Sequence, residues 1–297
     1  MPHERRIIKE STAMKNRGFS FSLKVLMVLV ASSALAQKSS ENHGSWAGRR
    51  IVTLKGFGDY FASDADGRPK LVKPDGLAVN IVAVVDHIDG DRVWIRTNGA
   101  GDNPVGWIQR SDSIILEDSV SYFTSLIGKN AKDWDSYLRR AEAEHALNQR
   151  EAALADYSRA IGLHPKEPFL YVRRGRHAET MRACAAATAD FYEAAKLKPK
   201  WAEPYNLLAG VYANCPDPIY RDQVKAILHI KHAIALDSGR HPTYLTVLAL
   251  AYFRSGQFEK AVATQKEALA SPDFPLGYRD EATKQLDQYK KAIDEHK

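Results

Sequence analysis

The sequence has few of the residue patterns that catalysis or metal binding requires. Its ten histidines are scattered, with no HExxH motif and no pair at metal-ligand spacing. It contains neither a glycine-rich phosphate loop nor a GxSxG nucleophile elbow. Because these signatures are missing, we expect a protein without catalytic activity, metal or cofactor.

One segment begins like a calcium-binding loop but departs from it. Asp64 and Asp66 stand where such a loop has its first ligands. Arg68 then occupies the fifth position, and Asp75 stands at the twelfth, where a bidentate glutamate is usual. We therefore interpret the segment as an ordinary loop.

Net charge is also scarce once the N-terminal segment is set aside. The chain carries a formal charge of +6, but residues 1–36 contain six cations and two anions, which leaves +2 for residues 37–297. Nucleic-acid binding depends on neutralising many phosphates. A nearly neutral chain gives little electrostatic reason to expect it.

The apolar run at residues 25–36 is too short for a membrane span. It has 12 residues, whereas a helix needs about 20 to cross a bilayer. Lys15 and Arg17 precede the run and Ala34-Leu35-Ala36 ends it, which is typical of a cleaved export signal. We therefore expect residues 1–36 to be a signal peptide, with an uncleaved anchor as the alternative. The mature chain is then periplasmic or secreted, without an integral membrane span.

Residues 47–117 show short alternating apolar runs separated by turn residues, a pattern that indicates β-strands. The predicted strands are residues 50–54, 69–73, 77–85, 91–96, 105–109 and 113–116. Asp89-Gly90 predicts a tight hairpin because glycine tolerates positive φ. Short strands without a helical period fit a small antiparallel barrel. The polar, small residues 37–46 before it are expected to form a flexible leader.

The end of this region resembles the bacterial SH3-like domain. The resemblance rests on "GDRVWIR" (90–96) and "VGWIQRSDSIIL" (105–116), a hairpin strand and then a Gly-Trp before a short final strand. It implies an SH3-like β-barrel over residues 47–117. The aromatic acidic patch of proline-binding SH3 domains is not recognisable, so that specificity is not implied. Trp94 and Trp107 are expected to complete the barrel core, with a binding groove as the alternative.

Residues 118–297 are organised around a period of 34 residues. Two sets of residues recur in register at this offset: Ala153, Tyr157, Ala160 and Pro165, then Ala187, Phe191, Ala194 and Pro199. Small residues let two helices approach, an aromatic ring wedges between them, and proline ends the second helix. Such a period predicts a solenoid of helix-turn-helix units.

This pattern resembles the tetratricopeptide repeat (TPR), which is a helix-turn-helix unit of 34 residues. The expected all-α solenoid consists of a half-repeat, four repeats and a capping helix, at residues 118–133, 134–167, 168–201, 202–241, 242–275 and 276–297. The third repeat is lengthened by a loop with two prolines, and the fourth has Gln265 in place of the usual aromatic residue. No Gly/Ser linker precedes the half-repeat, so we expect the β region and the solenoid to be coupled.

The chain has only two cysteines, Cys184 and Cys215. They lie near equivalent turns of adjacent repeats, and an exported protein enters an oxidising compartment. We take two buried free thiols as the default expectation and a Cys184–Cys215 disulfide as the alternative.

The TPR resemblance implies a non-catalytic scaffold that binds a protein or peptide in a concave groove lined by the first helices. The residues expected to line it are Glu142, Arg173, Arg176, Asn206, Asn214 and Arg254. Arginine forks suit carboxylates, so an acidic segment or a C-terminal carboxylate is the expected ligand. The alternative is that these arginines pair with neighbouring acids. His145 and His177 are also on first helices, where we expect them to be solvated or partly buried.

A second hypothesis places the function in the β region. The protein would then be a cell-wall module, in which the barrel binds glycan or peptide stems and the repeats act as a spacer. Aromatic residues exposed on the barrel would favour this hypothesis.

Overall fold

The computed structural model describes residues 46–54, 60–63, 69–72, 82–97, 105–237, 241–272 and 274–296. The predicted signal peptide and the first nine residues of the predicted leader lie outside these ranges. The four positions compared with a calcium-binding loop lie outside them as well.

The strands in the described part of the chain form a small antiparallel sheet and a hairpin. They are β1 (Arg50–Thr53), β2 (Tyr60–Ser63), β3 (Pro69–Val72), β4 (Val82–Asp89), β5 (Arg92–Thr97), β6 (Val105–Gln109) and β7 (Ser113–Ile115). Five strands are hydrogen-bonded in the order β6-β5-β4-β1-β7, and β2 pairs with β3. The hairpin lies beside β6. The described strands do not close on themselves, so the predicted barrel is seen here as an open sheet.

The hairpin between β4 and β5 turns where Asp89-Gly90 predicts it. Asp89 pairs with Arg92, and Gly90 has a φ of 57°, which a residue without Cβ adopts at little cost. The two-residue turn lets pairing continue to Asp89, so β4 extends beyond the strand predicted at 77–85. The strand β2 was not predicted, because its four residues are too few to show an alternating pattern.

One face of the sheet forms a compact apolar core around Trp46. The residues packed around its ring are Ile51, Ala83, Val85, Val93, Ile95 and Ile115. Trp46 is fully buried, and the guanidinium group of Arg110 lies 4.8 Å above its ring. The prediction that the flexible leader includes Trp46 is therefore wrong, because burying a large aromatic side chain stabilises this sheet.

The solenoid predicted from the 34-residue period is confirmed. Its helices in the described ranges are α1 (Leu116–Lys129), α2 (Trp134–Ala146), α3 (Arg150–Leu163), α4 (Pro168–Thr180), α5 (Cys184–Leu197), α6 (Ala202–Asn214), α7 (Gln223–Leu236), α8 (Pro242–Arg254), α9 (Phe258–Ala270) and α10 (Leu276–Glu295). The pairs α2–α3, α4–α5, α6–α7 and α8–α9 fall within the four expected repeats. Helix α1 begins two residues before the expected half-repeat, and α10 lies in the expected cap.

Small residues allow the close approach of the two helices in each pair. Gly175 of α4 faces the ring of Phe191 on α5, and a Cβ atom at position 175 would lie 2.5 Å from a ring carbon. In the preceding pair Ala141 and Ala153 are fully buried beside Tyr157. The repeated spacing of small and aromatic residues thus reflects one packing arrangement used in successive units.

A repeated ion pair joins the helices of the first two pairs. Arg140 of α2 binds both carboxylate oxygens of Asp156 on α3, at 2.5 and 2.9 Å. Arg174 of α4 binds Asp190 of α5 in the same way, at 2.9 and 2.7 Å. Each arginine also donates to a hydroxyl group on the helix that precedes its pair. The sequence carries this signal as an arginine and an aspartate 16 residues apart, repeated at the 34-residue offset. This ion pair was not predicted.

The departures in the third and fourth repeats have structural roles. The longer loop of the third repeat contains a 3₁₀ turn, Pro218–Tyr220, and is ordered as expected. In the fourth repeat Gln265 is fully buried, and its Nε2 donates to the backbone oxygen of Ala282 on α10 at 2.9 Å. The residue that interrupts the repeat pattern therefore holds the capping helix in place.

The sheet and the solenoid share a core, which confirms the expected coupling. Val52 and Ile114 of the sheet pack with Phe123 of α1 in one apolar cluster. The guanidinium group of Arg139 on α2 donates to the backbone oxygen of Thr53 at 2.7 Å. The β region is thus packed against the first helices of the solenoid.

Candidate functional site

The six predicted groove residues all lie on the first helices of the four pairs, and we call this set the first-helix surface. Its members are Glu142 on α2, Arg173 and Arg176 on α4, Asn206 and Asn214 on α6, and Arg254 on α8. The structure joins several of them across the contacts between neighbouring repeats.

Two of the arginines are paired with acids from adjacent first helices. Arg173 Nε lies 3.7 Å from Glu142 Oε1, and Arg176 Nη2 donates to Glu203 Oε1 at 2.7 Å. The expectation that both guanidinium groups are free to bind an acidic ligand is therefore wrong, and the alternative of pairing with neighbouring acids describes them. Since each pair joins two repeats, these side chains also help to fix how the repeats stack.

The third arginine is different, because its partner is neutral. Arg254 Nη2 donates to Asn214 Oδ1 at 3.0 Å, across the contact between α8 and α6. An amide oxygen accepts a hydrogen bond without neutralising the guanidinium charge. Within the first-helix surface, this contact leaves Arg254 able to attract a carboxylate.

Three polar atoms of the first-helix surface are buried and make no hydrogen bond within the described part of the chain. They are Glu142 Oε1, Arg176 Nε and Asn206 Oδ1. A buried polar atom without a partner costs about 1–3 kcal/mol. The three atoms belong to three successive first helices and lie beneath the surface rather than on it.

Burial shapes the ionisation of side chains near these buried atoms. It raises the pKa of Glu179 to about 7, opposed by the nearby charge of Arg176. It also raises the pKa of Tyr244 to about 12, with smaller contributions from Glu203 and Asp237.

The two histidines noted on first helices bind each other. His145 Nδ1 lies 2.8 Å from His177 Nδ1, and His177 Nε2 lies 2.9 Å from the backbone oxygen of Arg150. A carbonyl oxygen only accepts, so His177 carries its proton on Nε2 and accepts at Nδ1. Burial, more than the proximity of His145, lowers the pKa of His177. This pair is a hydrogen-bonded contact between the first two repeats.

Trp94 and Trp107 do not complete the sheet core, contrary to expectation. Val93 and Ile95 on either side of Trp94 are buried in that core, and successive side chains of a strand point to opposite faces. Trp107 is the direct cross-strand partner of Trp94, and both rings are partly exposed. The two tryptophans therefore lie on the face of the sheet that is turned away from Trp46.

The two tryptophans belong to a group that we call the sheet aromatic cluster: His87, Arg92, Trp94 and Trp107. The tryptophan rings are 5.3 Å apart, edge to face, and the His87 ring is parallel to that of Trp94 at 6.3 Å. The guanidinium group of Arg92 lies 5.3 Å above Trp107. This cluster has the aromatic and cationic groups that stack on flat or ring-shaped ligands.

Cys184 and Cys215 form a disulfide, so the default expectation of two free thiols is wrong. Their Cα atoms are 6.3 Å apart, within the range that a disulfide spans. Cys184 begins α5, and Cys215 directly follows α6. The bond therefore ties the second repeat to the start of the inserted loop in the third.

Two features are absent from the described residues. They contain no group of three or more His, Cys, Asp or Glu side chains arranged to hold a metal ion. None of their helices has both the length and the hydropathy to cross a membrane. The apolar run at 25–36 lies outside the residues described, so the second finding does not bear on it.

No protein-family model matches the sequence, and no curated protein matches it either. Solved structures of TPR proteins are similar to the helical part. TTC0263, a thermophilic TPR protein of Thermus thermophilus, is 18% identical over 60% of this chain and 90% of its own, with a TM-score of 0.46. YrrB, a TPR protein with an unusual peptide-binding site, is 18% identical over 59% of this chain and 92% of its own, with a TM-score of 0.42.

The hetero-tetramer Cut9–Hcn1 of the APC/C gives a TM-score of 0.50, at 14% identity over 60% of this chain and 34% of the matched chain. At such identities the likeness concerns the fold alone. The four helix pairs, their repeated small and aromatic contacts, and the flanking helices α1 and α10 agree with it. The helical region of this protein is a TPR-like solenoid.

Proposed function

We propose that this protein is a non-catalytic interaction scaffold whose first-helix surface binds a peptide or a segment of a protein. The observation that carries the proposal is the guanidinium group of Arg254, which is held by the neutral amide of Asn214 and keeps its charge for a ligand. A polypeptide offers backbone N–H and C=O groups together with carboxylates, so it complements a surface of arginine, asparagine and glutamate side chains.

The ligand carries an acidic group, and this group binds Arg254 rather than Arg173 or Arg176. Arg173 and Arg176 already face Glu142 and Glu203. Arg254 is bound to a neutral amide, so an acidic side chain or a C-terminal carboxylate of the ligand is placed beside Arg254.

The proposal also includes export to the periplasm or the exterior, and an SH3-like arrangement of residues 47–117. The predicted signal at residues 1–36 supports export, and so does the Cys184–Cys215 disulfide, since such bonds persist in oxidising compartments. The tight β4–β5 hairpin and the position of β2 beside β6 support the SH3-like arrangement.

The test of peptide binding is affinity capture from the native envelope with the Asn206→Ala, Arg254→Ala double variant. These changes remove an amide and a charge from the first-helix surface without breaking its ion pairs. We expect at least about a tenfold loss of captured partner, the size of effect that central interface residues produce. The melting temperature should change little.

A matched control removes the same two kinds of group from elsewhere. Lys266→Ala with Gln288→Ala takes a base and an amide from exposed positions on α9 and α10. This control should capture the partner as the unchanged protein does. Equal capture by all three proteins would contradict binding at the first-helix surface.

The sheet aromatic cluster favours a second candidate function, binding of cell-wall glycan or its peptide stems. The exposed faces of Trp94 and Trp107, with Arg92 beside them, suit stacking on a sugar ring or a peptide group. In this case Trp107→Ala should abolish co-sedimentation with purified cell wall, whereas the Asn206→Ala, Arg254→Ala variant should still co-sediment. If neither the unchanged protein nor the variants bind purified cell wall, this candidate function is ruled out.

A further inference from the structure

The contact between the first two helix pairs is built around two histidines that share one hydrogen bond. His145 of α2 and His177 of α4 meet Nδ1 to Nδ1 at 2.8 Å, with their ring centroids 4.9 Å apart. His177 is 1% exposed, and its Nε2 lies 2.9 Å from the backbone oxygen of Arg150 at the start of α3. The imidazole of His177 is thus held on both of its nitrogens, where three helices meet.

Histidine is an exception at this place in the repeat. The four first helices α2, α4, α6 and α8 have 13 residues each, and His177 is the tenth residue of α4. The tenth residues of the other three are Ala143, Val211 and Ala251, which are buried and apolar. Because the fold accepts a small apolar side chain here, packing alone does not explain the imidazole. Its hydrogen bonds belong to the contact between the first two repeats.

The hydrogen-bond partners determine where the protons of this contact lie. Since the backbone oxygen of Arg150 only accepts, Nε2 of His177 carries a proton. Nδ1 of His177 is then the acceptor, and His145 donates from its own Nδ1. A separation of 2.8 Å accommodates one proton between the two nitrogens, and not two. The contact therefore requires that one of the two facing nitrogens has no proton.

A first and a second added proton have different effects on this contact. A first proton leaves it intact, because Nε2 of His145 can take it while Nδ1–H still donates to His177. A second proton can only go to Nδ1 of His177, where it faces the N–H of His145. Two donors then face each other and two positive charges lie side by side, so the hydrogen bond is lost.

The described groups that face His177 lie on α2 and α3, and they do not offset a second charge. They are Glu142 and His145 on α2, and Arg150 and Tyr157 on α3. Burial is the largest influence and lowers the pKa of His177. The hydrogen bond to the Arg150 backbone and the charge of Glu142 oppose this shift, whereas the charges of His145 and Arg150 add to it.

We propose that the His145–His177 contact is an acid-sensitive joint, which holds α2 against α4 while at most one of the two imidazoles is charged and opens when both are. In the unfolded chain His177 takes up its proton near the ordinary pKa of 6.5, and in the folded protein its pKa is lower. The stabilisation by this contact is therefore fully present above pH 6.5 and is lost as pH falls through the pKa of the folded state.

The joint lies beside two members of the first-helix surface. Glu142 is three residues before His145, Arg173 is four residues before His177, and the two side chains meet across the same contact at 3.7 Å. Opening of the joint therefore separates them. This joint acts on the stacking of the repeats, whether or not the first-helix surface binds a peptide.

Nitrogen NMR of the full chain labelled with ¹⁵N-histidine tests where the protons lie. At pH 8 we expect His177 to carry a proton on Nε2 alone, with a scalar coupling through the hydrogen bond between the two Nδ1 atoms. The coupling should disappear in His145→Gln. It should persist in His164→Gln, which removes the exposed histidine directly after α3. A proton on Nδ1 of His177 at pH 8, or no coupling between the rings, would overturn the proposal.

A double-mutant cycle tests the sensitivity to acid. Urea unfolding of the unchanged protein, His145→Gln, His177→Gln and the double variant isolates the interaction between the two side chains, because other titrating groups are common to all four proteins. We expect an interaction that stabilises the folded protein at pH 8. Below pH 6.5 its contribution to the unfolding equilibrium constant should weaken by up to about tenfold for each pH unit.

His177→Val replaces the histidine by the residue that the third repeat has at this place, so it provides a second variant that keeps the fold. A cycle built with this variant should show the same dependence on pH. An interaction of equal strength at pH 8 and pH 5 in both cycles would mean that the two rings only pack together, and it would contradict the acid-sensitive joint.

Discussion

At the scale of single residues, burial decides how the polar groups between the helices behave. Glu144 is only 6% exposed, and its Oε2 has no hydrogen-bond partner among the described residues. Burial and, to a smaller extent, Asp156 raise the pKa of Glu144 to about 7. A carboxyl group in this position favours its protonated form, so ionisation of Glu144 at neutral pH costs folding free energy in the first repeat.

This cost gives a prediction for stability against pH. The unfolded chain releases the Glu144 proton near its ordinary pKa of 4.5, whereas the folded protein holds it to about 7. The stabilising contribution of Glu144 to the free energy of unfolding is therefore fully present below pH 4.5 and is lost as pH rises through 7. Glu144→Gln removes this loss. The free energy of unfolding of the variant minus that of the unchanged protein should therefore increase by on the order of 2 kcal/mol between pH 4.5 and 8.

Urea unfolding at several pH values measures this difference. Glu151→Gln, which changes an exposed residue of α3, is the control for the loss of one carboxylate. A difference for Glu144→Gln that does not change with pH would show that burial does not hold the proton on this group.

A second prediction concerns the glycine packed against an aromatic ring. Gly175→Ala places a Cβ atom against Phe191, and overpacking of this kind costs about 1–3 kcal/mol. Gly210 lies in the helix α6 of the next repeat and has open space around it, so Gly210→Ala should stabilise the protein by about 0.5–1 kcal/mol. Thermal unfolding of the two variants compares them directly, and a shift of the same sign in both would contradict the packing described here.

At the scale of elements, the disulfide ties the start of α5 to the beginning of the inserted loop. The Cys184–Cys215 bond closes a segment of about 30 residues, for which the chain-entropy model gives a stabilisation of about 3–4 kcal/mol. Cys184→Ser with Cys215→Ser should lower the stability accordingly. Thiol counting on denatured, unreduced protein should find no free thiol, and two free thiols would show that the bond is absent.

The helical elements could be predicted from the sequence because each repeat encodes the same contact. The spacing of small and aromatic residues gave the helix pairs, and the register of the repeats placed Glu142, Arg173 and Arg254 on first helices. What the register could not show is which acid each arginine meets. Glu203 lies 27 residues beyond Arg176, and only the stacking of two repeats brings them together.

The sheet was harder to predict, for a physical reason. A strand turns alternate residues to opposite faces, so the location of Trp94 depends on which face is covered. The core forms around Trp46, which lies outside the predicted strands, and the tryptophans of β5 and β6 are left on the other face. A sequence pattern that shows alternation does not show which of the two faces has a partner.

At the scale of the whole molecule, the sheet and the solenoid are held as one packed unit along β1, β7, α1 and α2. Arg50 Nη1 donates to the backbone oxygen of Ala146 at 3.0 Å, and Arg49 Nη2 donates to Glu117 Oε2 at 3.2 Å. Together with the shared apolar cluster, these contacts fix the sheet against the N-terminal end of the solenoid. A ligand on the first-helix surface and one on the sheet aromatic cluster would therefore be held in a fixed relation to each other.

Binding of a polypeptide partner by the first-helix surface is the central claim for this molecule. Site-specific photo-crosslinking tests it most directly, with the photoreactive residue placed at Asn206 in one protein and at the exposed Ala155 of α3 in another. We predict that the partner retained in affinity capture is crosslinked from position 206 and not from position 155. A partner crosslinked from position 155 alone, or crosslinked from neither position while it is still captured, would contradict the claim.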